Sequence, residues 1–190
     1  MQAYLITHVA TAQRRELDAT QWGLSPEGER QAAQLASEPF WGAVTQVVVS
    51  AEAKTLLSVA GVVAGRGLPV WVDSRLDELR RSGWVEDYGA RVAQVFAQPK
   101  VAQGSWESAD SALARMIGAM QAIERRFGDA VVAVVGHGLT LSLLRAYWLG
   151  YAHVRYDEWA RLGFGAVAAV ELPGGQILQD FAFTSASRRG

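Results

Sequence analysis

The chain contains no cysteine. Disulfides, thiolate metal sites and a cysteine nucleophile are excluded together. It also lacks an excess of charge of either sign. Its 18 basic and 19 acidic side chains leave a net charge of −1, which gives no electrostatic argument for a nucleic-acid or membrane partner. The basic residues gather in nothing larger than pairs, such as Arg80-Arg81 and Arg188-Arg189. No apolar run approaches the ~20 residues of a membrane span. The opening residues, "MQAYLITHV", lack the basic region and long apolar core of a signal peptide. A cytoplasmic protein is the expectation.

Histidine is scarce as well, with three in the chain. Two of them end short apolar runs: "AYLITH" at His8 and "AVVAVVGH" at His137. The third, His153, is expected at a surface or a helix end, with no catalytic part. Half of the residues are apolar, and a chain of 190 residues can bury roughly 70% of its unfolded surface. One domain is expected over 1–184, with a loose tail at 185–190.

The order of elements alternates. A strand at Tyr4–Thr7 is followed by a polar stretch, then by a helix opened at Ser25-Pro26-Glu27. Serine suits the N-cap, proline the first helical position, and glutamate the positive end of the helix dipole. Strands are expected at Thr45–Ser50, Leu68–Asp73 and across "AVVAVV", with helices at Ala53–Ala64 and from Ser108. In the latter, Leu113, Met116, Ile117, Met120, Ile123 and Phe127 recur at helical spacing. The middle, Ser74–Glu107, reads as loop with one or two short helices. A hairpin is expected over Pro173-Gly174-Gly175.

Alternating strands and helices predict an α/β fold, a mostly parallel central sheet flanked by helices on both faces. In such sheets ligands bind beyond the carboxyl ends of the strands. His8 and His137 each follow a strand directly, so both can project at that edge. The plain alternative is two rim histidines without a shared role.

The residues around them resemble the histidine phosphatase superfamily, phosphoglycerate mutase-like branch, over nearly the whole chain. The family's Arg-His-Gly-x-Thr corresponds to Thr7-His8-Val9-Ala10-Thr11. Its helix opening corresponds to Leu24-Ser25-Pro26-Glu27-Gly28 with Gln31, and its strand-ending serine and following basic residue to Ser50 and Lys54. Leu76-Asp77-Glu78, Gly83-Trp84-Val85-Glu86, Gly104–Ser108 with Arg115, and Val135-Gly136-His137-Gly138-Leu139-Thr140 complete the order.

The resemblance implies phosphoryl transfer through a phosphohistidine, without metal or cofactor. It makes His8 the nucleophile, His137 a ligand of the transferring oxygens and Glu78 the general acid. Thr7, Thr11, Lys54, Arg14 and Gly138 are implied as phosphate- or substrate-binding positions. The substrate would be a small phosphorylated metabolite, and a homodimer is compatible with the family.

Two departures stand out. Both pocket arginines are replaced, by Thr7 and Lys54, and the glycine after the nucleophile is Val9, expected to narrow the pocket mouth. Lysine keeps the charge but loses the planar fork; threonine loses the charge. Two lost hydrogen bonds to charge, at about 1.5–3 kcal/mol each, would slow the reaction by very roughly two to four orders of magnitude. Arg14, Arg15, Arg75, Arg80 and Arg81 are candidates to compensate, although each alone reads as a solvated loop charge. Three readings follow: a metal-independent phosphomonoesterase with altered activity; a catalytically impaired relative that binds an anionic ligand or partner; and a metal site of His8, His137 and Glu78. A mutase is disfavoured because no extra basic cluster could hold a second phosphate.

Overall fold

Five consecutive buried residues, Val132–Gly136, form strand β4 at the middle of a six-stranded sheet. A strand covered on both faces reads as an unbroken apolar run, and this one does. In the computed structural model, which describes residues 1–183, the remaining strands are β1 (Gln2–Thr7), β2 (Gln46–Val49), β3 (Val70–Val72), β5 (Val167–Glu171) and β6 (Gln176–Gln179). Their spatial order is β3-β2-β4-β1-β5-β6. β3, β2, β4 and β1 are parallel to one another, and the β5–β6 hairpin is added antiparallel to β1. The sheet is therefore mixed and mostly parallel, in an α/β arrangement. The expected tail, with residue 184, lies outside the described residues.

The pleat sends alternate side chains to opposite faces. Leu5, Val48, Val132 and Val134 meet Met116, Met120 and Ile123 of α4 (Ala109–Phe127) and Leu141 and Leu144 of α5 (Gly138–Trp148). Ile6, Val47, Val49, Ala133 and Val135 meet Leu35 of α1 (Pro26–Ala36) and Val59 and Val62 of α2 (Ala53–Arg66). The periodic stripe of α4 is thus core packing. Val9 belongs to the second cluster and is fully buried. It does not narrow the pocket mouth, because its apolar side chain turns inward to the core.

A third cluster organises the middle of the chain. Leu79, Trp106 and Val92, Val95 and Phe96 of α3 (Tyr88–Ala97) pack on Leu139 and Leu143 of α5 and on Trp159 of α6 (Tyr156–Arg161). Helix α6 was not expected from the sequence. At six residues it is too short to show a helical period, and it is held by burial of Trp159.

The loop after β1 is tied to the start of α1. Ala10 O accepts from Ser25 N at 3.1 Å, Ala10 N donates to Gln31 Oε1 at 2.9 Å, and Ser25 Oγ caps Gly28 N at 3.0 Å. A Cβ on Gly28 would stand 1.9 Å from Ala10 O, a backbone atom that cannot rotate away. Gly28→Ala is expected to destabilise the protein by about 3 kcal/mol, the upper end for overpacking. Thermal melting checks this; an unchanged midpoint would show that α1 can move off the loop freely.

Candidate active site

Thr7 pairs with Gly136 in the parallel β1–β4 ladder, so the next residues on the two strands are His8 and His137. The ladder extends one bond further, His8 N to Gly136 O at 2.9 Å. Register alone therefore places the two imidazoles side by side. Their ring centroids lie 5.2 Å apart with the rings inclined at 63°.

His8 Nδ1 lies 2.8 Å from the carbonyl oxygen of Val9. A carbonyl can only accept, so Nδ1 carries the hydrogen, and in the neutral ring the lone pair is then on Nε2. That is the tautomer a nucleophilic imidazole needs. The backbone that provides this carbonyl is itself held, with Val9 N donating to Ser58 Oγ at 3.0 Å and Ser58 Oγ to Lys54 O at 2.6 Å. His137 is fully buried at the N-cap of α5, and its Nε2 lies 2.8 Å from Ser50 Oγ at the end of β2.

Glu78 arrives from the turn after β3, buried, with its carboxylate at the N-terminus of α5. Oε1 accepts from Leu79 N at 3.0 Å and Thr140 N at 3.2 Å, and Oε2 from Leu139 N at 3.3 Å. Each carboxylate oxygen has two acceptor positions. Oε1 has both in use, while Oε2 accepts from one backbone N–H. The turn is pinned by Arg115 of α4, whose guanidinium donates to the carbonyls of Arg75, Asp77 and Glu78 at 2.7–2.9 Å and to the Glu107 carboxylate.

These side chains open on a cavity of about 470 Å³ whose lining includes His8, Thr11, Lys54, Glu78 and His137. Trp22, Trp84, Tyr88 and Phe164 supply aromatic parts of its wall. Phe164 stands 5.5 Å from the His8 ring, and Trp22 and Trp84 are 6.1 Å apart. Among the described residues no group of three His, Cys, Asp or Glu side chains is placed to hold a metal ion, so His8, His137 and Glu78 do not form the ligand set considered above.

Not every expected position reaches the cavity. Thr7 is buried, donating from Oγ1 to Gly163 O at 2.9 Å and accepting from Ala166 N at 2.9 Å. Its hydroxyl fastens the segment carrying Phe164, and Thr7 does not line the cavity. Arg14 is exposed and Gly138 is part of the α5 backbone; neither lines it. Of the compensating arginines, Arg15 and Arg81 line it. Arg15 is paired with Glu86 and lies over Trp84, while Arg81 lies over Tyr88 and Trp106. Arg75 is committed to Asp73.

Lys54 holds a surprise. It is paired with Glu52, and both side chains are 5% exposed. Glu52 Oε1 also accepts from Glu78 N at 2.8 Å and stands 3.6 Å from His137 Nε2. A glutamate just ahead of a helix is ordinary sequence, so nothing short of the fold announces its position.

Similarity now agrees with geometry. The sequence matches the family described as Histidine phosphatase superfamily (branch 1) over residues 3–178. The chain belongs to this family. The structure is similar to Bacillus stearothermophilus YhfR, with a TM-score of 0.78 at 22% identity, covering 97% of this chain and 98% of that one. A mycobacterial glucosyl-3-phosphoglycerate phosphatase complexed with VO3 gives 0.73 at 22% identity, with coverage of 97% and 99%. A phosphoserine phosphatase mutant from Entamoeba histolytica in complex with phosphoserine gives 0.72 at 14%, with coverage of 97% and 96%. At these identities the likeness speaks to the fold. No curated protein matches the sequence. Among the described residues no helix is long and apolar enough to cross a membrane.

Around this cavity four carboxylates are shifted from their usual range; Asp18 is held low by its hydrogen bonds from Thr20. For Asp73, burial works to raise the carboxyl, but the hydrogen bonds from Arg75 win and hold it low. Glu107 is likewise opposed by burial and held low by Arg115. Asp77 is pushed up, by burial first and by Glu52 nearby, against the Ala51 N–H. A carboxyl lowered in the folded state contributes stability above its unfolded value of about 4, which is lost as pH falls through the folded one. Asp77 has the opposite sign, since folding favours its protonated form. The urea midpoint is expected to hold or rise slightly as pH falls to about 4, then to drop below it. A midpoint that falls steadily from neutrality would contradict these assignments.

Proposed function

We propose that this histidine phosphatase superfamily member is a metal-independent phosphomonoesterase acting on a small phosphorylated metabolite through a phosphohistidine at His8. The observation that carries the reading is the His8 Nδ1–Val9 O contact, which in the neutral ring puts the lone pair on Nε2, in the cavity that His137 and Glu78 also line. His8 Nε2 would bond to phosphorus as the ester P–O bond breaks. The departing alkoxide would take its proton from Glu78, and water would then hydrolyse the phosphohistidine, returning its proton to Glu78. The His137 imidazole would steady the phosphoryl oxygens, and Thr11 and Lys54 would bind them. The aromatic walls would receive the leaving group. The phosphatase names of the mycobacterial and Entamoeba relatives support the same reaction class.

A second reading has its own support: a relative that binds an anion without turning it over. The Thr7 hydroxyl is fully engaged away from the cavity, and the Lys54 charge is shared with Glu52. The deciding experiment is phosphate release from p-nitrophenyl phosphate and a panel of phosphomonoesters with EDTA present, followed by mass analysis of the quenched protein. Turnover with a phosphoryl adduct on His8 is the expected result. Calorimetric binding of phosphate with no turnover across the panel would transfer the case to the second reading.

A further inference from the structure

A site for a phosphoryl dianion needs positive charge that is available to it. Of the three cations that line this cavity, Arg15, Lys54 and Arg81, only Lys54 is buried, beside the buried Glu78 and His137. That cation is already engaged. Glu52 holds the Lys54 ammonium in a pair with both side chains 5% exposed, and its second oxygen accepts from Glu78 N and faces His137. Glu52 is not required where it is for helix capping, since its side chain makes no capping bond to α2. Asp18 adds another carboxylate to the cavity wall, within the electrostatic reach of Lys54.

We propose that Glu52 is a specificity-determining residue: by sharing Lys54 it lowers the affinity of the pocket for doubly charged phosphoryl groups. The proposal rests on the reading of this cavity as a phosphoryl site. An anion entering it must divide Lys54 with a fixed carboxylate and also meet that carboxylate's field. The penalty is Coulombic, so it scales with ligand charge. Its logarithm should be about twice as large for a dianion as for a monoanion in the same place.

Glu52→Gln is the direct test, because glutamine keeps an acceptor for Glu78 N while removing the charge. The readout is calorimetric affinity for inorganic phosphate at pH 8 and for dimethyl phosphate, a monoanion. Phosphate is expected to bind roughly ten- to a hundredfold tighter to Glu52→Gln than to the parent, and dimethyl phosphate by about the square root of that factor. Lys54→Met leaves the carboxylate alone and should weaken phosphate binding. The double variant Glu52→Gln/Lys54→Met restores the charge balance of the parent and should return towards its affinity.

Phosphate binding no tighter in Glu52→Gln than in the parent would overturn the proposal, as would equal gains for the two anions. If Glu52→Gln does not fold around an unpaired lysine, Lys54→Arg takes its place. The guanidinium can hold Glu52 and still offer N–H groups to the anion, so phosphate should bind several-fold tighter. No gain there would overturn the proposal. The reaction itself is judged separately. Tighter phosphate binding without turnover in any variant would leave the Glu52 role standing and remove the hydrolase reading; turnover dependent on His8 with no gain in binding would do the reverse.

Discussion

With His8 replaced by alanine, phosphate release is expected to fall to background, a loss on the order of a thousandfold or more for removal of a nucleophile. Alanine removes Nε2 and the bond from Nδ1 to Val9 O. It leaves the backbone in place, because His8 N still donates to Gly136 O and Val9 N to Ser58 Oγ. The variant should therefore melt near the parent and bind phosphate comparably through Lys54, Thr11 and His137. That combination separates chemistry from folding. His8→Ala protein with parental activity would end the phosphohistidine mechanism, whatever else the cavity does.

Arg115→Met should produce the largest loss of stability. One guanidinium serves the Glu107 carboxylate and three carbonyls of the turn at residues 75–78. Arg115 and Glu107 are 11% and 10% exposed, so methionine would leave a buried carboxylate without its partner. Breaking one side of a buried pair costs about 3–5 kcal/mol. For a chain of this size that lowers the melting temperature by roughly 6–20 °C. The turn carries Glu78, so activity should fall even at temperatures where the variant is folded. Arg115→Lys restores charge without the fork and should recover only part of either loss. Equal stability and activity for Arg115→Met and the parent would show that the Glu78 turn is held by packing alone.

Much of the candidate site was legible in the chain because it is built on local signals. His8 and His137 end apolar runs, and parallel pairing of β1 with β4 makes them neighbours in register. The Ser25-Pro26 opening marks α1, and Gly28 and Gln31 mark where that helix meets the Ala10 loop. These features depend on period, capping and spacing, which a sequence carries directly.

Direction of side chains is another matter. Thr7 was expected in the phosphate pocket and instead fastens the Gly163–Ala166 segment, and Val9 joined the core. Arg15 reached the cavity while Arg14 beside it did not. The segment from Ser74 to Glu107 was opaque because α5 and α6 supply its packing partners from more than thirty residues away.

The amino-acid sequence by itself determined the α/β class, the family, and the pair of histidines at the carboxyl edge of the sheet, since these follow from patterns repeated along the chain. Only the tertiary structure decided the electrostatics. Whether Lys54 meets a phosphate as a full charge depends on Glu52 folding back against it, and Coulomb energy is set by distance and burial, neither of which is written in the spacing of residues.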